Sequence, residues 1–368
     1  MNKEIVVYYG SIVLASLFAG LAQKFAKKEN KKIIKLNRCL WIISFLLLLL
    51  PIGFRTCGVG VDDNNYKLMF DNTIKNGVIK QFLNTGLEPG YLLFNYFISL
   101  FTRNFQVIIF LTTFIPLVLY YKALEYEKDH INLFLGVFLF GTLLYLYFCG
   151  IIRLFIASSI IAFGLRYIIE KKTKKYIICI FIATLFHYSA FFLLFLTILS
   201  LNKKSQNRSK RWLVPVITII LPIVLYIIFS FVLPNLGRRY LNYQIGQGKI
   251  SIWDFDKLPI LLMCLILYNS IKKLNNNIYL YNLLCGISIV ISIYTIWFPI
   301  GRIEWYCNFS ICIILPSIIR AMKEIKKAEG NLILLPFIIM YAVIYSYRIT
   351  FIQASRESML NYSNFLLK

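Results

Sequence analysis

Apolar stretches recur along this chain at about 5–22, 39–54, 105–121, 132–148, 151–169, 176–200, 212–234, 258–271, 278–298, 303–321 and 332–352. They constrain the fold more than any other feature. A helix needs about 20 largely apolar residues to cross a bilayer, and most of these stretches reach or approach that length. The stretches at 39–54 and 258–271 are short and must borrow flanking residues. Composition agrees: 59% of the 368 residues are hydrophobic and 15% are charged, against roughly 45–50% and about 25% in a soluble domain. The expected fold is an all-α polytopic membrane protein with about 10–12 transmembrane helices. It forms a single transmembrane domain over residues 1–368, with outer loops at 55–90 and 235–257.

The formal charge of +24 is placed where topology needs it. Lysine and arginine gather in short loops between apolar runs, the pattern of cytoplasmic loops, so no nucleic-acid partner is expected. "KFAKKENKKIIKLNR" (24–38) carries seven basic residues and is assigned to the cytoplasm, which puts loop 55–90 outside. "EKKTKK" (170–175), "NKKSQNRSKR" (202–211), "KKLNNN" (272–277) and "KEIKKAEGN" (323–331) fall inside, and "IGRIE" (300–304) falls outside. The amino-terminal stretch lacks the basic region and small-residue cleavage site of a signal peptide, and reads as the first span. The eight cysteines form no C-x-x-C pair and no Cys/His cluster, so neither a metal site nor a cofactor is expected.

One run resists this bookkeeping. "YIICIFIATLFHYSAFFLLFLTILSL" (176–201) has cytoplasmic charge on both sides, so it should cross an even number of times or not at all. A re-entrant pair of half-helices, broken near His187, Tyr188 and Ser189, resolves the conflict. Irregular backbone at membrane depth is tolerated where protein buries it or where it lines a wet cavity. The alternative makes "YLLFNYFISLF" (91–101) an extra span, but eleven residues rise only about 16 Å as a helix.

Polar residues collect on the expected outer side. Arg55 leaves a span into a Gly-rich turn followed by Asp62, Asp63 and Tyr66, and Glu88 stands in Glu-Pro-Gly. Arg153 follows the turn Cys149-Gly150, and Arg302 with Glu304 occupies the turn at 299–304. An arginine at the end of a span is usually an anchor that snorkels. Arg153 and Arg302 run against the positive-inside bias, and ionisable residues at membrane depth are functional candidates because burying them is costly. Guanidinium groups offer paired donors matched to phosphate oxygens, so Arg55, Arg153 and Arg302 suit a lipid-linked pyrophosphate. The bland reading pairs Arg153 with Glu88 or Asp62 as an internal salt bridge. Aromatic residues are abundant (17%, with 25 Tyr and 31 Phe); interfacial belts account for most of them, and the rest suit the faces of sugar rings.

In order, "FRTCGVGVDDNNY", "EPGYLLFNYFIS", "RLFIASSIIAFGLRY", "ATLFHYSAFFLL" and "GRIEWYCNFSICIILP" resemble the EpsG-like branch of the Wzy-type polysaccharide polymerases, from about 50 to 320. Arg55, Gly60, Asp62 and Tyr66 match the first element, and Glu88, Gly90 and Tyr91 the second. Arg153 and Ala157 match the third, His187, Ser189 and Ala190 the fourth, and Arg302 and Tyr306 the last. Arg153 and Gly164 also stand at an R-x10-G spacing, which carries no weight in a chain of this composition.

The resemblance implies a metal-independent glycosyltransferase of the bacterial cytoplasmic (inner) membrane, multi-pass, with its active face outside. It would join undecaprenyl-pyrophosphate-linked repeat units by inverting transfer, in capsule, exopolysaccharide or O-antigen synthesis. A flippase and a chain-length regulator would be its partners, beside the lipid-linked glycans and the bilayer. Arg55, Arg153, Arg302, Tyr66, Tyr91 and Tyr306 would bind pyrophosphate and glycan. The general base remains open among Glu88, Asp62 and His187. Two other functions share the features: a flippase or transporter for the same lipid-linked oligosaccharide, and a membrane O-acetyltransferase relying on His187.

Overall fold

The computed structural model describes residues 3–26, 31–194, 301–324, 328–347 and 364. Among the described residues the regular elements are helices, and the one β-type contact is an isolated bridge between Arg55 and Asn364. The helices are α1 (Lys3–Phe25), α2 (Lys31–Gly53), α3 (Asp63–Asn76), α4 (Val78–Thr85), α5 (Pro89–Ser99), α6 (Phe105–Tyr126), α7 (Leu133–Leu143), α8 (Ile152–Ile169), α9 (Thr173–Phe186), α10 (Gly301–Glu324) and α11 (Ala328–Tyr347). Short 3-10 helices cover Tyr145–Cys149 and Tyr188–Phe192. Among the described residues, four helices are long and apolar enough to cross a membrane: Val6–Phe25 within α1, then α2, α6 and α8. The protein is an all-α, multi-pass membrane protein. The expected spans at 212–234, 258–271 and 278–298, and the outer loop 235–257, lie outside the described residues.

Two segments differ from expectation. The α2 helix starts at Lys31 rather than near 39, so 23 residues form it. Lysines do not end a helix when their side chains reach the polar region beside the membrane. Most of the expected loop 24–38 is therefore helical. The expected outer loop 55–90 is likewise not open chain, since it folds into α3 and α4 and begins α5.

The core lies between α1, α2, α6, α7, α8, α9 and α10, with α11 packed on α7 and α10. The α7 helix is buried around most of its circumference, with Phe134 and Phe138 only partly covered, as befits a helix that is apolar all round. One end of the bundle is tied by backbone carbonyls in the α6–α7 turn. Gln23 Nε2 donates to the carbonyls of Lys128 (2.5 Å) and Ile131 (2.7 Å), and Arg320 Nη1 donates to the same two at 3.1 and 3.2 Å. The end of α1, the α6–α7 turn and the end of α10 therefore share one end of the bundle, as the charge pattern requires. A second apolar cluster from α3, α5, α6 and α8 lies toward the opposite end, with Tyr66, Phe70, Tyr91, Ile108 and Ile152 at its centre. This cluster carries the site.

The α9 helix stops where the sequence conflict pointed. His187 has φ −156° and ψ 115°, an extended conformation, and its N–H closes the last turn of α9 on the Ala183 carbonyl. Fourteen residues rise about 21 Å, short of the roughly 30 Å hydrocarbon core. The course of the chain after Leu194, and with it the return half of the proposed pair, lies outside the described residues.

Candidate functional site

Arg153 sits in the first turn of α8, and its guanidinium is ion-paired through Nη1 with Glu88 Oε2. The side chains are only 11% and 6% exposed, so the pair is largely withdrawn from water. Glu88 reaches it because Pro89 opens α5 and leaves Glu88 extended at the N-cap; proline suits the first helical position, where no N–H partner is needed. Gly90 is forced by contact: a Cβ there would stand 2.7 Å from both the Cβ and the carbonyl oxygen of Leu185. That contact holds the start of α5 against the end of α9.

Two tyrosines flank the guanidinium. Its carbon lies 5.9 Å from the Tyr66 ring centre and 6.0 Å from that of Tyr91, at the outer limit of cation–π attraction. The two rings meet edge-on at 5.8 Å. Burial raises the Tyr66 phenol above its ordinary value, while the charge of Arg153 acts in the opposite sense. Arg153 Nε is buried without an acceptor among the described residues. The Tyr91 hydroxyl and both polar atoms of the Asn95 carboxamide, one turn apart on α5, are buried without a hydrogen-bond partner among those residues.

His187 stands beside this group rather than at mid-depth. Gly164 of α8 packs against Tyr176 and Cys179 of α9, so the antiparallel register brings His187 level with the first turn of α8. Ser189 Oγ lies 2.7 Å from His187 Nδ1 and 3.0 Å from Tyr306 Oη. Trp305, next to Tyr306 at the start of α10, packs on Phe155 with ring centres 6.2 Å apart. Tyr188 bridges the clusters by donating its hydroxyl to the Leu87 carbonyl at 3.4 Å, next to Glu88. One end of the bundle thus gathers Glu88, Arg153, Tyr66, Tyr91, His187, Ser189 and Tyr306.

Arg55 has a different place. It is fully buried and forked onto Asp63, with Nη2 to Oδ1 at 2.9 Å and Nε to Oδ2 at 3.3 Å. Its Nη1 donates to the Ile52 carbonyl at 3.0 Å and to Thr113 Oγ1 at 3.4 Å. The Gly60 N–H donates to Asp63 Oδ2 at 2.8 Å. These bonds pin the 56–62 turn and the start of α3 to the bundle, and so place Tyr66. Asp62 is half-buried at the N-cap of α3, and its side chain accepts from Asn65 Nδ2 at 3.3 Å. Arg302 lies in the first turn of α10, but its side chain is not among those described.

The sequence offers Glu88 or Asp62 as the partner of Arg153, and the structure pairs it with Glu88; Tyr66 and Tyr91, singled out for glycan binding, lie against its guanidinium. Sequence reading missed Asp63 as the partner of Arg55, and it missed the buried Asn95. Ser189 was noted only as part of a motif, because a serine in an apolar run carries no signal of its own. Among the described residues no group of three or more His, Cys, Asp or Glu could hold a metal ion.

Gly60 offers a direct test of this packing. A Cβ there would fall 1.9 Å from the Cys149 carbonyl oxygen and 2.6 Å from Asp63 Oδ1. Gly60→Ala must therefore separate the 56–62 turn from the start of α8, at about 3 kcal/mol, with a lowered melting temperature in detergent. Gly10→Ala in α1, where a Cβ meets nothing within 4 Å, should melt at or above the wild-type temperature.

Helices that bury a carboxylate, guanidinium groups, tyrosines and a histidine at one end define a multi-pass membrane protein with a polar site inside the bundle. The family model that matches covers residues 38–364 and is that of the EpsG family. The chain belongs to this family, whose members are polysaccharide polymerase-type membrane proteins with glycosyltransferase-like activity. No curated protein and no solved structure matches the chain.

Proposed function

We propose that the protein joins undecaprenyl-pyrophosphate-linked oligosaccharide repeat units on the outer face of the bacterial cytoplasmic membrane, by inverting glycosyl transfer without metal. The observation that carries this reading is the Arg153–Glu88 pair, buried between Tyr66 and Tyr91. Such a pair is poised to exchange partners. A pyrophosphate entering beside Arg153 competes for the guanidinium, since phosphate oxygens match its donors and bring more charge than one carboxylate. Arg153 Nε, buried without an acceptor among the described residues, offers a further donor. Glu88 is then released from its counter-ion.

The reaction is a single displacement. The acceptor sugar hydroxyl attacks the anomeric carbon of the donor chain, and its proton passes to Glu88. The bond from anomeric carbon to pyrophosphate breaks, and the electron pair leaves on the pyrophosphate oxygen. Arg153 stabilises that developing charge. Tyr66 and Tyr91, whose rings are buried in the apolar cluster, pack against the Arg153 guanidinium and position it, and His187, held by Ser189 and Tyr306, lines the same end. Arg55 and Asp63 act as positioning residues through α3. A flippase that delivers the repeat unit and a chain-length regulator are the partners this reaction calls for.

Stereochemistry tests the reading. With a donor of known anomeric configuration, the new bond in the product should carry the opposite configuration by NMR. A product that retains the donor's configuration would require two displacements and would exclude this role for Glu88.

A further inference from the structure

The hairpin made by α4 and α5 buries polar residues and leaves large apolar ones exposed. On α4, Ile79 and Leu83 are 77% and 75% exposed, one turn apart on one face, while the polar Gln81 is buried at 4%. Gln81 accepts from Asn76 Nδ2 at 3.4 Å, and its carbonyl accepts from Thr85 Oγ1 at 2.7 Å. On α5, Asn95 is wholly buried, whereas Leu93 and Phe97 face outward, as does Phe101 in the turn that follows. A helix at a water boundary turns its apolar face inward. The α4 helix does the opposite, and α5 is apolar on both faces, since it also buries Tyr91, Leu92 and Ile98; α2 likewise exposes Leu46 and Leu50.

We infer that the α4–α5 hairpin is seated in lipid, at the level where hydrocarbon meets headgroups, rather than standing in water as a loop. Its occupant is the phospholipid of the leaflet at the Glu88 end. The chain turns into and out of α4 through two left-handed glycines, Gly77 (φ +75°) and Gly86 (φ +61°), each with open space around its Cβ position. These turns let a short helix lie apart from the bundle. Lys75 and Lys80, both exposed, flank the apolar face as cations flank an interfacial helix near anionic headgroups. The hairpin turn carries Glu88 two residues beyond Gly86, so lipid reaches the edge of the site. This inference does not depend on the proposed reaction.

Photo-crosslinking tests it in the full chain, reconstituted in vesicles of phosphatidylethanolamine and phosphatidylglycerol. Benzoylphenylalanine is introduced singly in place of Ile79 or Leu83, in place of Leu46 of α2 as the lipid-facing reference, and in place of the exposed Asp71 of α3 as the aqueous reference. All four side chains lie on the surface, so the bulky group does not load the core. After irradiation, the proteins altered at 79 and 83 should gain the mass of one phospholipid, as the one altered at 46 does and the one altered at 71 does not. Positions 79 and 83 behaving like 71 while 46 is labelled would overturn the inference. Crosslinking of 79 and 83 to a second protein chain instead of lipid would overturn it equally.

Discussion

Arg153→Ala should lower the rate of glycan extension by about a thousand-fold, the scale on which removing a transition-state charge donor acts. Arg153→Lys should fall by about a hundred-fold, because a lysine keeps the charge but loses the planar fork that holds two phosphate oxygens. Both rates are read as lengthening of lipid-linked glycan in vesicles. The same pair also supports the fold, so loss of activity alone does not separate the two roles. Replacing both partners does, because a buried ion pair exchanged for apolar side chains of similar size is often neutral or stabilising. The double variant Arg153→Met with Glu88→Leu should melt near the wild-type temperature and yet extend nothing. Recovery of extension in that double variant would make the pair structural only.

A different loss is expected at Arg55. Its guanidinium and the Asp63 carboxylate are both fully buried, and removing one partner of such a pair strands the other, at about 3–5 kcal/mol. Arg55→Ala and Asp63→Asn should each lower the melting temperature and release the turn that places Tyr66. Asp62→Asn, one residue away at a half-buried cap, should stay within about 0.5 kcal/mol of wild type and keep its activity. The contrast between the neighbouring aspartates is the useful part. If Asp62 were the general base, the result would invert: Asp62→Asn would remain folded and lose extension.

That contrast also shows what the sequence could and could not carry. Two adjacent aspartates at a helix start point about 100° apart, and nothing in "VDDNNY" says which one faces the bundle. Membership of an all-α bundle was legible because long apolar runs admit few other arrangements in lipid. The break at His187 was legible from charge, since basic segments on both sides of 176–201 did not fit one crossing. Its depth was not. It depends on how α8 and α9 register across Gly164, a packing detail with no periodic signal. The outward apolar face of the α4–α5 hairpin has no signature in the sequence, because α4 is short and α5 reads as an ordinary apolar run; only burial distinguishes Gln81 and Asn95 from Ile79 and Phe97.

The most direct test of the central claim is purified protein in vesicles carrying undecaprenyl-pyrophosphate-linked repeat units, with a chelator present and no nucleotide sugar. Lipid-linked products are then resolved by length. A ladder of multiples of the repeat unit is expected for the wild-type protein, and only the single unit for Arg153→Ala. Movement of the lipid-linked unit across the bilayer with no lengthening of any donor would contradict that claim, and would make the protein a transporter.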